Sequence, residues 1–413
     1  MRTLTLLVLT ALLQCCCSEP TRHPGDIGFE GDADTDTDAD TDSDTDTDTG
    51  QERRVVAYYT EWSVYDRDLQ VEDIPADLLT HVNYAFIEPS LEEGCEVSDT
   101  WAALSRGGGN YAKLVRLKAE HPELVILMSV GGWSGSAAFS DIALTQERRE
   151  RFASACVAFM QEHGFDGIDI DWEYPVEGGE NGRPQDRENF TLLMAELRQQ
   201  LDALEGEHPL TAATTASPSY VENLDLPGLA EQLDWFNLMT YDFYGFWDLR
   251  YAGLHAALYR ASDNPDTAAG QAFGDGTVQA YLDGGVPPEQ LTLGIPFYGR
   301  GWSGVSSDND GLFQSATGVP EGSQGSGYYD YWAIVDDLLD DSSYERHFHD
   351  EALAPWLYRA RGGIVISYDD PESIGHKLDY IRANELGGAM FWELGGDTDD
   401  FVLTRQLAEA LRE

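Results

Sequence analysis

Residues 166–173 read DGIDIDWE, and apolar and acidic side chains alternate along this stretch. A period of two is typical of a β-strand, in which residues two apart share a face. Asp169, Asp171 and Glu173 therefore point the same way, spaced roughly 6.6 Å apart. The isoleucines and Trp172 between them indicate that the strand is buried. Because a buried row of acids costs free energy unless protons are shared, we interpret the row as functional rather than as the solvated face of an edge strand.

The length and charge of the chain narrow its class. Its 413 residues suffice for one large barrel or two ordinary domains, and a hydrophobic content of 42% can fill a sizeable core. The formal net charge is −50, and residues 1–50 carry 12 acidic residues against two arginines, which leaves −40 for the remainder. So negative a chain excludes nucleic acid and other polyanions as natural partners and favours a neutral or cationic substrate.

The N-terminal segment, residues 1–18, resembles an export signal. Arg2 supplies a positive charge, and the apolar stretch Leu4–Leu13 is too short to span a bilayer. Cys15 follows at once, and this placement is similar to a bacterial lipoprotein signal, in which the first mature cysteine is acylated. Gln14 differs from the small residue expected before that cysteine, so simple secretion stays open beside lipidation. We therefore expect a secreted or cell-surface protein, with or without a membrane tether through an N-terminal lipid.

Residues 19–52 contain almost nothing that could pack against a core. Within them, Asp32–Thr49 alternates Asp with mostly Thr. We expect self-repulsion to keep this segment disordered and extended, as a spacer before the following domain. Acidic side chains at alternate positions also suit calcium, but the run lacks the interior Gly and terminal Glu of an EF-hand loop.

Cys95 and Cys156 are the two cysteines outside the N-terminal segment. In an oxidising compartment they could pair as a disulfide. Two separate buried thiols are the alternative, and the sequence leaves both open.

From residue 53 onward, short apolar runs alternate with amphipathic stretches of helical period. Eight runs are predicted strands: Val55–Tyr59, Leu79–Ile87, Leu124–Val130, Phe165–Glu173, Leu210–Ala216, Trp235–Tyr241, Leu291–Phe297 and Gly388–Trp392. Helices are predicted between them, including Tyr111–Glu120, Gln146–His163, Arg187–Leu204 and Ser373–Asn384. This alternation predicts an α/β fold, a (β/α)8 TIM barrel over residues 53–413. Residues 302–370 are surplus to eight units, and we interpret them as a small α+β insertion domain between strands 7 and 8, with a strand at Gly363–Tyr368.

Five motifs follow one another at the ends of the predicted strands. DGIDIDWE closes strand four, and SVGGW at residues 129–133 closes strand three. MTYD at 239–242, PFYGR at 296–300 and MFWE at 390–393 close strands six, seven and eight. Each motif alone is weak, but the ordered set resembles the signatures of glycoside hydrolase family 18, the chitinases and their relatives. The resemblance covers residues 53–413, and the insertion is similar to that of the deep-cleft chitinase subgroup.

The acid row has a chemical interpretation of its own. Active sites of such barrels lie at the C-terminal ends of the strands, and Glu173 is the last acid of its row, nearest the barrel mouth. Like charges this close cannot all ionise, so we expect at least one raised pKa in the coupled group. A glutamic acid that stays protonated near neutral pH is the general acid that glycosidic cleavage needs.

The family resemblance implies a more detailed mechanism, in which the substrate assists its own cleavage. The oxygen of the sugar's 2-acetamido group attacks the anomeric carbon, and configuration is retained. Glu173 acts as acid and then as base, Asp171 orients the acetamido group, and Asp169 shares a proton with Asp171. Tyr241 hydrogen-bonds the acetamido oxygen. We expect no metal and no cofactor, and we expect a monomer.

Aromatic side chains supply the predicted sugar-binding surface, because pyranose rings stack on indoles by their apolar faces. The resemblance assigns Trp392 to the floor beneath the cleaved sugar, and Trp133 and Trp247 to platforms on its two sides. A lone tryptophan is more often a core residue, but each of these follows a strand end. Further predicted substrate contacts are Asp242, Met239, Tyr298, Arg300 and Tyr174. Arg300 has the alternative role of a structural partner for a carboxylate.

Four residues are predicted to support the site rather than bind sugar. Ser129 and Tyr58 would hold the acid row, and Gly131 and Gly132 would give the backbone clearance near the ligand. The family resemblance therefore implies hydrolysis of β-1,4-linked N-acetylglucosamine polymers, that is, chitin and chitooligosaccharides. The alternatives are an endo-β-N-acetylglucosaminidase acting on N-glycans and a non-catalytic chitin-binding lectin on the same fold.

Overall fold

The computed structural model describes residues 53–177, 182–267 and 272–412. The predictions for the export signal, Cys15 and the Asp/Thr-rich spacer lie outside these residues. The strands are β1 (Arg54–Thr60), β2 (His81–Ser90), β3 (Gly94–Val97), β4 (Val125–Gly131), β5 (Gly167–Asp171), β6 (Leu210–Thr215), β7 (Trp235–Met239), β8 (Leu291–Pro296), β9 (Tyr298–Trp302), β10 (Glu321–Gly322), β11 (Gly325–Ser326), β12 (Tyr328–Asp330), β13 (Glu345–His349), β14 (Ala354–Arg359), β15 (Ile364–Ser367) and β16 (Gly388–Trp392).

Eight parallel strands close into a barrel, as predicted. Their order around the ring is β1, β16, β8, β7, β6, β5, β4 and β2, and pairing of β1 with β2 completes the ring. Strand β3 adds to β2 as an antiparallel extension. The (β/α)8 barrel predicted from the alternation of strands and helices is therefore confirmed, and each of the eight predicted runs overlaps a barrel strand.

Helices surround the barrel. They are α1 (Asn110–Glu120), α2 (Gly132–Gly135), α3 (Phe139–Ile142), α4 (Gln146–His163), α5 (Asp186–Leu201), α6 (Pro218–Val221), α7 (Leu226–Ala230), α8 (Gly274–Asp283), α9 (Tyr331–Ala333), α10 (Pro371–Ala383) and α11 (Val402–Leu411).

Helix α4 begins and ends at the residues predicted from its sequence. The Thr145 side chain accepts a hydrogen bond from the backbone N–H of Arg148, and Gly164 ends the helix in the left-handed conformation with φ 77°. Phe152, Cys156 and Met160 are spaced four apart and are buried on one face. This face packs in the hydrophobic layer between helices and barrel.

The alternation along β5 separates two cores. Ile168 and Ile170 belong to the large hydrophobic layer outside the barrel, whereas Asp169 and Asp171 are buried on the opposite face. A smaller cluster from different strands, which includes Tyr58, Met239 and Met390, packs together with Trp392 at its edge. Full burial of each isoleucine stabilises the folded protein by about 2–3 kcal/mol. The apolar face of β5 therefore holds in place the strand that carries Asp169 and Asp171.

A second sheet is inserted between β8 and β16. It has five antiparallel strands in the order β12, β9, β15, β14 and β13. It begins at Tyr298, directly beyond β8, so PFYGR at residues 296–300 joins barrel and insertion. The predicted strand Gly363–Tyr368 contains β15.

A disulfide bond joins Cys95 on β3 to Cys156 on α4, with their Cα atoms 5.0 Å apart. It ties the antiparallel extension of the barrel to the surrounding helices, and it answers the question that the sequence left open. In the part of the chain that the structure describes, no helix is long and apolar enough to cross a membrane.

Candidate active site

The candidate site lies at the C-terminal end of β5. The neighbouring strands β4 and β6 supply the residues that flank Asp169 and Asp171. Strand pairing places Ser129 and Thr211 beside Asp169, one on each side. The same pairing places Gly131 and Ala213 beside Asp171. The inner acid therefore has hydroxyl neighbours, whereas the outer acid has small ones that offer no side-chain donor.

Asp169 accepts four hydrogen bonds from neutral side chains. Its Oδ2 accepts from the hydroxyls of Tyr58 and Ser129, both at 2.7 Å. Its Oδ1 accepts from Thr211 Oγ1 at 2.5 Å and from Asn237 Nδ2 at 3.1 Å. Burial raises the pKa of Asp169, and the four donors act against this rise by stabilising the carboxylate. The predicted supporting contacts of Ser129 and Tyr58 are thus hydrogen bonds to the innermost acid.

Asp171 differs in that its Oδ1 is buried without a hydrogen-bond partner among the described residues. Burial raises its pKa well above the ordinary value, and the neighbouring charges of Glu173 and Asp169 raise it further. A buried polar atom without a partner is costly, which makes this oxygen available to a ligand group that carries an N–H.

Glu173 lies two residues beyond the end of β5. Burial raises its pKa to about 7, a hydrogen bond from Tyr174 lowers it, and the charge of Asp242 raises it. The sequence predicted at least one raised pKa in the row, and the three acids all have one. At neutral pH, Glu173 is poised between its protonated and ionised forms, which suits a group that first donates and then accepts a proton.

Tyr241 follows β7 and lies near the acid row, whose charges raise its pKa after the larger effect of burial. Among the described residues, its hydroxyl makes a weak contact, 3.9 Å to the sulfur of Met390. Its ring meets the ring of Tyr298 edge to face, with 6.1 Å between centroids. Met239, at the end of β7, is buried in the small cluster that also contains Tyr58.

Asp242 is held by a bidentate ion pair. Arg300 Nε donates to Asp242 Oδ1 at 2.7 Å, and Arg300 Nη2 donates to Oδ2 at 2.5 Å. Burial pushes the pKa of Asp242 up, but the Arg300 charge outweighs this and holds it well below its usual range. The buried ring of His255 lies on the same carboxylate, with 3.6 Å between Nδ1 and Oδ1. Arg300 therefore has a carboxylate partner, the second of the two roles considered for it.

Aromatic rings surround Trp392, the last residue of β16. Phe86 stacks on it with 5.5 Å between centroids, and Tyr58 and Trp62 contact it at 5.5 Å and 6.4 Å. Glu393 follows, and its carboxyl accepts a 2.6 Å hydrogen bond from Thr60, which joins the end of β16 to the end of β1.

Trp133 and Trp247 are the most exposed tryptophans of the described residues, at 77% and 57%. Trp133 lies in α2, directly after β4. Trp247 lies under the guanidinium group of Arg300, 5.2 Å from it, and so belongs to the Asp242 side of the site. Large apolar rings that are left in solvent next to a buried acid cluster are available to a ligand.

The family model for glycosyl hydrolases family 18 matches residues 54–397. The chain belongs to this family. The resemblance seen in the five motifs is thereby confirmed, and the match extends over the barrel and the inserted sheet.

Family 18 relatives are similar over most of this chain. Chitinase A1 of Niallia circulans is 37% identical over 414 residues, which cover 86% of this chain and 58% of that protein. This chain therefore spans little more than half the length of that relative. The structure of chitinase ChiA74 from Bacillus thuringiensis superimposes with a TM-score of 0.80 at 35% identity, covering 87% of this chain and 70% of that one. A family 18 N-acetylglucosaminidase from Paenibacillus barengoltzii gives 0.75 at 34%, covering 87% and 100%.

Other neighbours of this family 18 site were not identified from the motifs. Thr211 and Asn237 bond Asp169, and Ser136 and Phe86 lie against the motif residues. The first two had a signal in the sequence, because each is a polar residue at an inward position of an apolar strand. Ser136 and Phe86 had none, since a turn and a neighbouring strand bring them in.

The two glycines of the family 18 motif at the end of β4 lie close to protein atoms. A Cβ on Gly131 would stand 2.2 Å from the carbonyl oxygen of Asp171, and one on Gly132 would stand 2.5 Å from the ring of Phe86. Both residues also have positive φ, 115° and 77°. Glycine is required here for the approach of neighbouring chain segments. Within the described residues, no cluster of three His, Cys, Asp or Glu side chains converges as metal ligands do.

Proposed function

We propose that this chain hydrolyses β-1,4-linked N-acetylglucosamine polymers, with retention of anomeric configuration. The observation that carries the proposal is the combination of a carboxyl group whose pKa is about 7, Glu173, with a buried oxygen of Asp171 that has no hydrogen-bond partner among the described residues. The first supplies a proton at neutral pH, and the second is suited to accept a hydrogen bond from an amide. An N-acetyl group on the cleaved sugar meets the second requirement, and a glucose unit does not.

In the first step, Glu173 transfers its proton to the glycosidic oxygen as the bond to the anomeric carbon breaks. The acetamido oxygen of the same sugar attacks that carbon from the opposite side and forms an oxazolinium ion. Asp171 accepts a hydrogen bond from the acetamido N–H. Its negative charge stabilises the positive charge that develops on the oxazolinium ion, because unlike charges attract strongly in a buried site. The hydroxyl of Tyr241 donates to the acetamido group.

In the second step, the ionised Glu173 removes a proton from water, and the oxygen of that water attacks the anomeric carbon. The carbon–oxygen bond of the oxazolinium ion breaks, which restores the acetamido group and the protonated acid. Two inversions give net retention. Asp169 shares a proton with Asp171: it takes the proton as the oxazolinium ion forms, which leaves Asp171 ionised, and it returns the proton when that ion is consumed.

The sugar chain is held by aromatic faces on both sides of the cleavage point. Trp392 forms the floor, and the exposed rings of Trp133 and Trp247 form the two platforms. Sugar stacking on such rings fixes the plane of each pyranose, while hydroxyl groups find polar partners. Further contacts come from Asp242, Met239, Tyr298, Arg300 and Tyr174.

Turnover of a chromogenic chitotriose glycoside tests the proposal. We expect wild type to release the chromophore and Glu173→Gln to lose several orders of magnitude in kcat while still binding chitooligosaccharide. Glu177→Gln, an exposed acid four residues away, is the matched control and should act as wild type. Wild-type rates in Glu173→Gln would remove that residue from the mechanism.

Two other functions give different results in the same assays. A chitin-binding lectin would bind chitooligosaccharide without any turnover by wild type. An endo-β-N-acetylglucosaminidase would release intact oligosaccharide from an N-glycosylated peptide faster than it cleaves chitohexaose. The inserted sheet and the exposed tryptophans support the chitin assignment, and the product-length profile from chitohexaose distinguishes internal from terminal cleavage.

We also propose that the chain is exported and acts outside the cytoplasm, by secretion or at the cell surface. The support is the N-terminal pattern of residues 1–18 and the disulfide bond, which persists in oxidising compartments. Mass spectrometry of the mature N-terminus tests this. A lipidated Cys15 means a membrane tether, a cleaved and unmodified N-terminus means free secretion, and an intact Met1 contradicts export.

A further inference from the structure

Ser136 lies four residues beyond Gly132, in the turn that also carries Trp133. Its side chain is buried, with 4% exposed. Its Oγ is 2.7 Å from the backbone nitrogen of Glu173, 3.1 Å from the carbonyl oxygen of Asp171 and 2.9 Å from the carbonyl oxygen of Gly132. One hydroxyl group therefore contacts the backbone of both outer acids.

The direction of these hydrogen bonds is fixed by chemistry. The N–H of Glu173 can only donate, so Ser136 accepts there. The single hydroxyl proton of Ser136 is then shared between the two carbonyl oxygens. The hydroxyl thus spans the peptide units on both sides of Trp172, from Asp171 to Glu173.

The contact of Ser136 with Glu173 matters because the strand pairing of β5 ends before Glu173. The pairing of β5 ends at Asp171 on both sides, with Gly131 of β4 and Ala213 of β6, so no strand in the described residues accepts from the N–H of Glu173. Ser136 takes the place of that neighbour. The backbone conformation of Glu173 decides where its carboxyl group points, and this residue has no sheet to define it.

Gly131 makes the contact sterically feasible. With φ 115°, its backbone passes so close to Asp171 that a Cβ would stand 2.2 Å from the Asp171 carbonyl oxygen. The chain beyond β4 can therefore turn directly over the end of β5, which brings Ser136 onto it. The same turn presents Trp133, a predicted sugar platform, to solvent. The Ser136 hydroxyl therefore connects the turn that carries Trp133 to the backbone of Asp171 and Glu173.

We propose that Ser136 is a positioning residue, which holds the Glu173 backbone so that its carboxyl group stays aligned with Asp171 and with the bond to be cleaved. The inference deepens the proposed function and rests on it for its kinetic test. Because the Ser136 side chain is buried and its hydroxyl is engaged with backbone groups, its removal should change kcat and leave the binding of sugar nearly unaltered.

The test compares Ser136→Ala with Ser373→Ala, a matched control in which a buried serine hydroxyl is removed at the start of α10. On the chromogenic chitotriose glycoside, we expect kcat of Ser136→Ala to fall about 10- to 100-fold with KM within about threefold, since small misplacements of a catalytic group cost that much. Ser373→Ala should keep kcat within about twofold of wild type, although both variants lose thermal stability. Equal kcat in the two variants would overturn the inference.

A second measurement is independent of turnover. Crystal structures of wild type and Ser136→Ala should differ in the position of the Glu173 carboxyl group by more than about 0.5 Å, the tolerance of a catalytic arrangement. Superimposable carboxyl groups would overturn the inference. If wild type cleaves no N-acetylglucosamine substrate, the proposed function fails, and this structural comparison still decides whether Ser136 positions Glu173.

Discussion

Arg300 donates two parallel hydrogen bonds to Asp242, from Nε and Nη2 to the two carboxylate oxygens. The guanidinium group is also enclosed by rings, 4.9 Å from Tyr298, 5.0 Å from Tyr328 and 5.2 Å from Trp247. A planar fork that is stacked and bidentate cannot be replaced by a lysine without loss. This pair joins the inserted sheet, which carries Arg300, to the end of the barrel strand that precedes Asp242.

The first prediction concerns the stability that this ion pair contributes. Arg300→Gln leaves a largely buried carboxylate without its counter-charge and should lower the free energy of unfolding at pH 7 by about 3 kcal/mol. Arg382→Gln breaks an exposed pair with Asp379 and should have little effect. Chemical denaturation of the two variants measures the difference.

The pH dependence of that stability has a definite sign. The pKa of Asp242 is depressed in the folded protein, so its contribution is present above the ordinary carboxyl pKa of about 4 and is lost as pH falls through the depressed value. Wild type should therefore lose more stability than Arg300→Gln on acidification below about pH 4. If the free energy of unfolding falls equally with pH in wild type and in Arg300→Gln, the depressed pKa of Asp242 does not arise from Arg300.

The second prediction concerns the pKa of Glu173. Because the acid must be protonated to cleave, kcat/KM should fall about tenfold per pH unit above a pH of about 7. A pH profile of the chromogenic reaction measures this. A rate that stays level to pH 9 would show that Glu173 is not the group that titrates.

The pH dependence of the free energy of unfolding should give the pKa of Glu173 independently of the kinetics. The folded-state pKa of Glu173 is raised, so the contribution of its protonated form is complete below the ordinary carboxyl value and is lost as pH rises toward and through about 7. Glu173→Gln removes this dependence. Its free energy of unfolding should exceed that of wild type by a growing margin between about pH 4.5 and pH 8.

The third prediction concerns the donors that surround Asp169. Thr211→Val removes the 2.5 Å hydrogen bond to Asp169 Oδ1 and should lower kcat by about tenfold, because a buried carboxylate loses one of four donors. Thr277→Val, the matched control, removes a buried hydroxyl that bonds the carbonyl oxygen of Ala216. Steady-state kinetics should show the loss of kcat in the first variant alone, with reduced thermal stability in both.

The fourth prediction concerns the disulfide bond. Cys95 and Cys156 are separated by 61 positions, and opening a loop of this length should lower the free energy of unfolding by about 4 kcal/mol. The double variant Cys95→Ser/Cys156→Ser should keep wild-type kcat at 25 °C, because neither cysteine contacts the acid row. A double variant as stable as wild type would mean that the bond does not form in solution.

The barrel could be predicted because its strands carry strong local patterns. The Ile168/Ile170 and Asp169/Asp171 alternation marks both faces of β5, and the helical period of residues 146–163 predicted α4 at its observed bounds. The end of β5 was placed too late, at Glu173 instead of Asp171. The alternation continues beyond the sheet, but the pairing with β4 stops at Gly131.

Most contacts inside the site could not be predicted from the sequence, because they join residues far apart in the chain. Asp169 collects donors from four other strands, and only Ser129 and Tyr58 were predicted among them. Asn237 reaches it only because strand order and register bring β7 close. Ser136 is one of several serines in a turn, and no pattern distinguishes the one that reaches Glu173.

Attack by the substrate's own acetamido oxygen distinguishes the proposed mechanism from one with a protein nucleophile, and a series of matched substrates tests it. Aryl chitobiosides that carry N-acetyl, N-difluoroacetyl or N-trifluoroacetyl on the cleaved sugar differ in the nucleophilicity of that oxygen and little in size. Fluorine withdraws electrons from the carbonyl group, so we predict that kcat/KM falls steeply along the series while Glu173 and Asp171 remain unchanged. Equal rates for all three substrates would contradict acetamido attack and assign the nucleophile to the protein or to water.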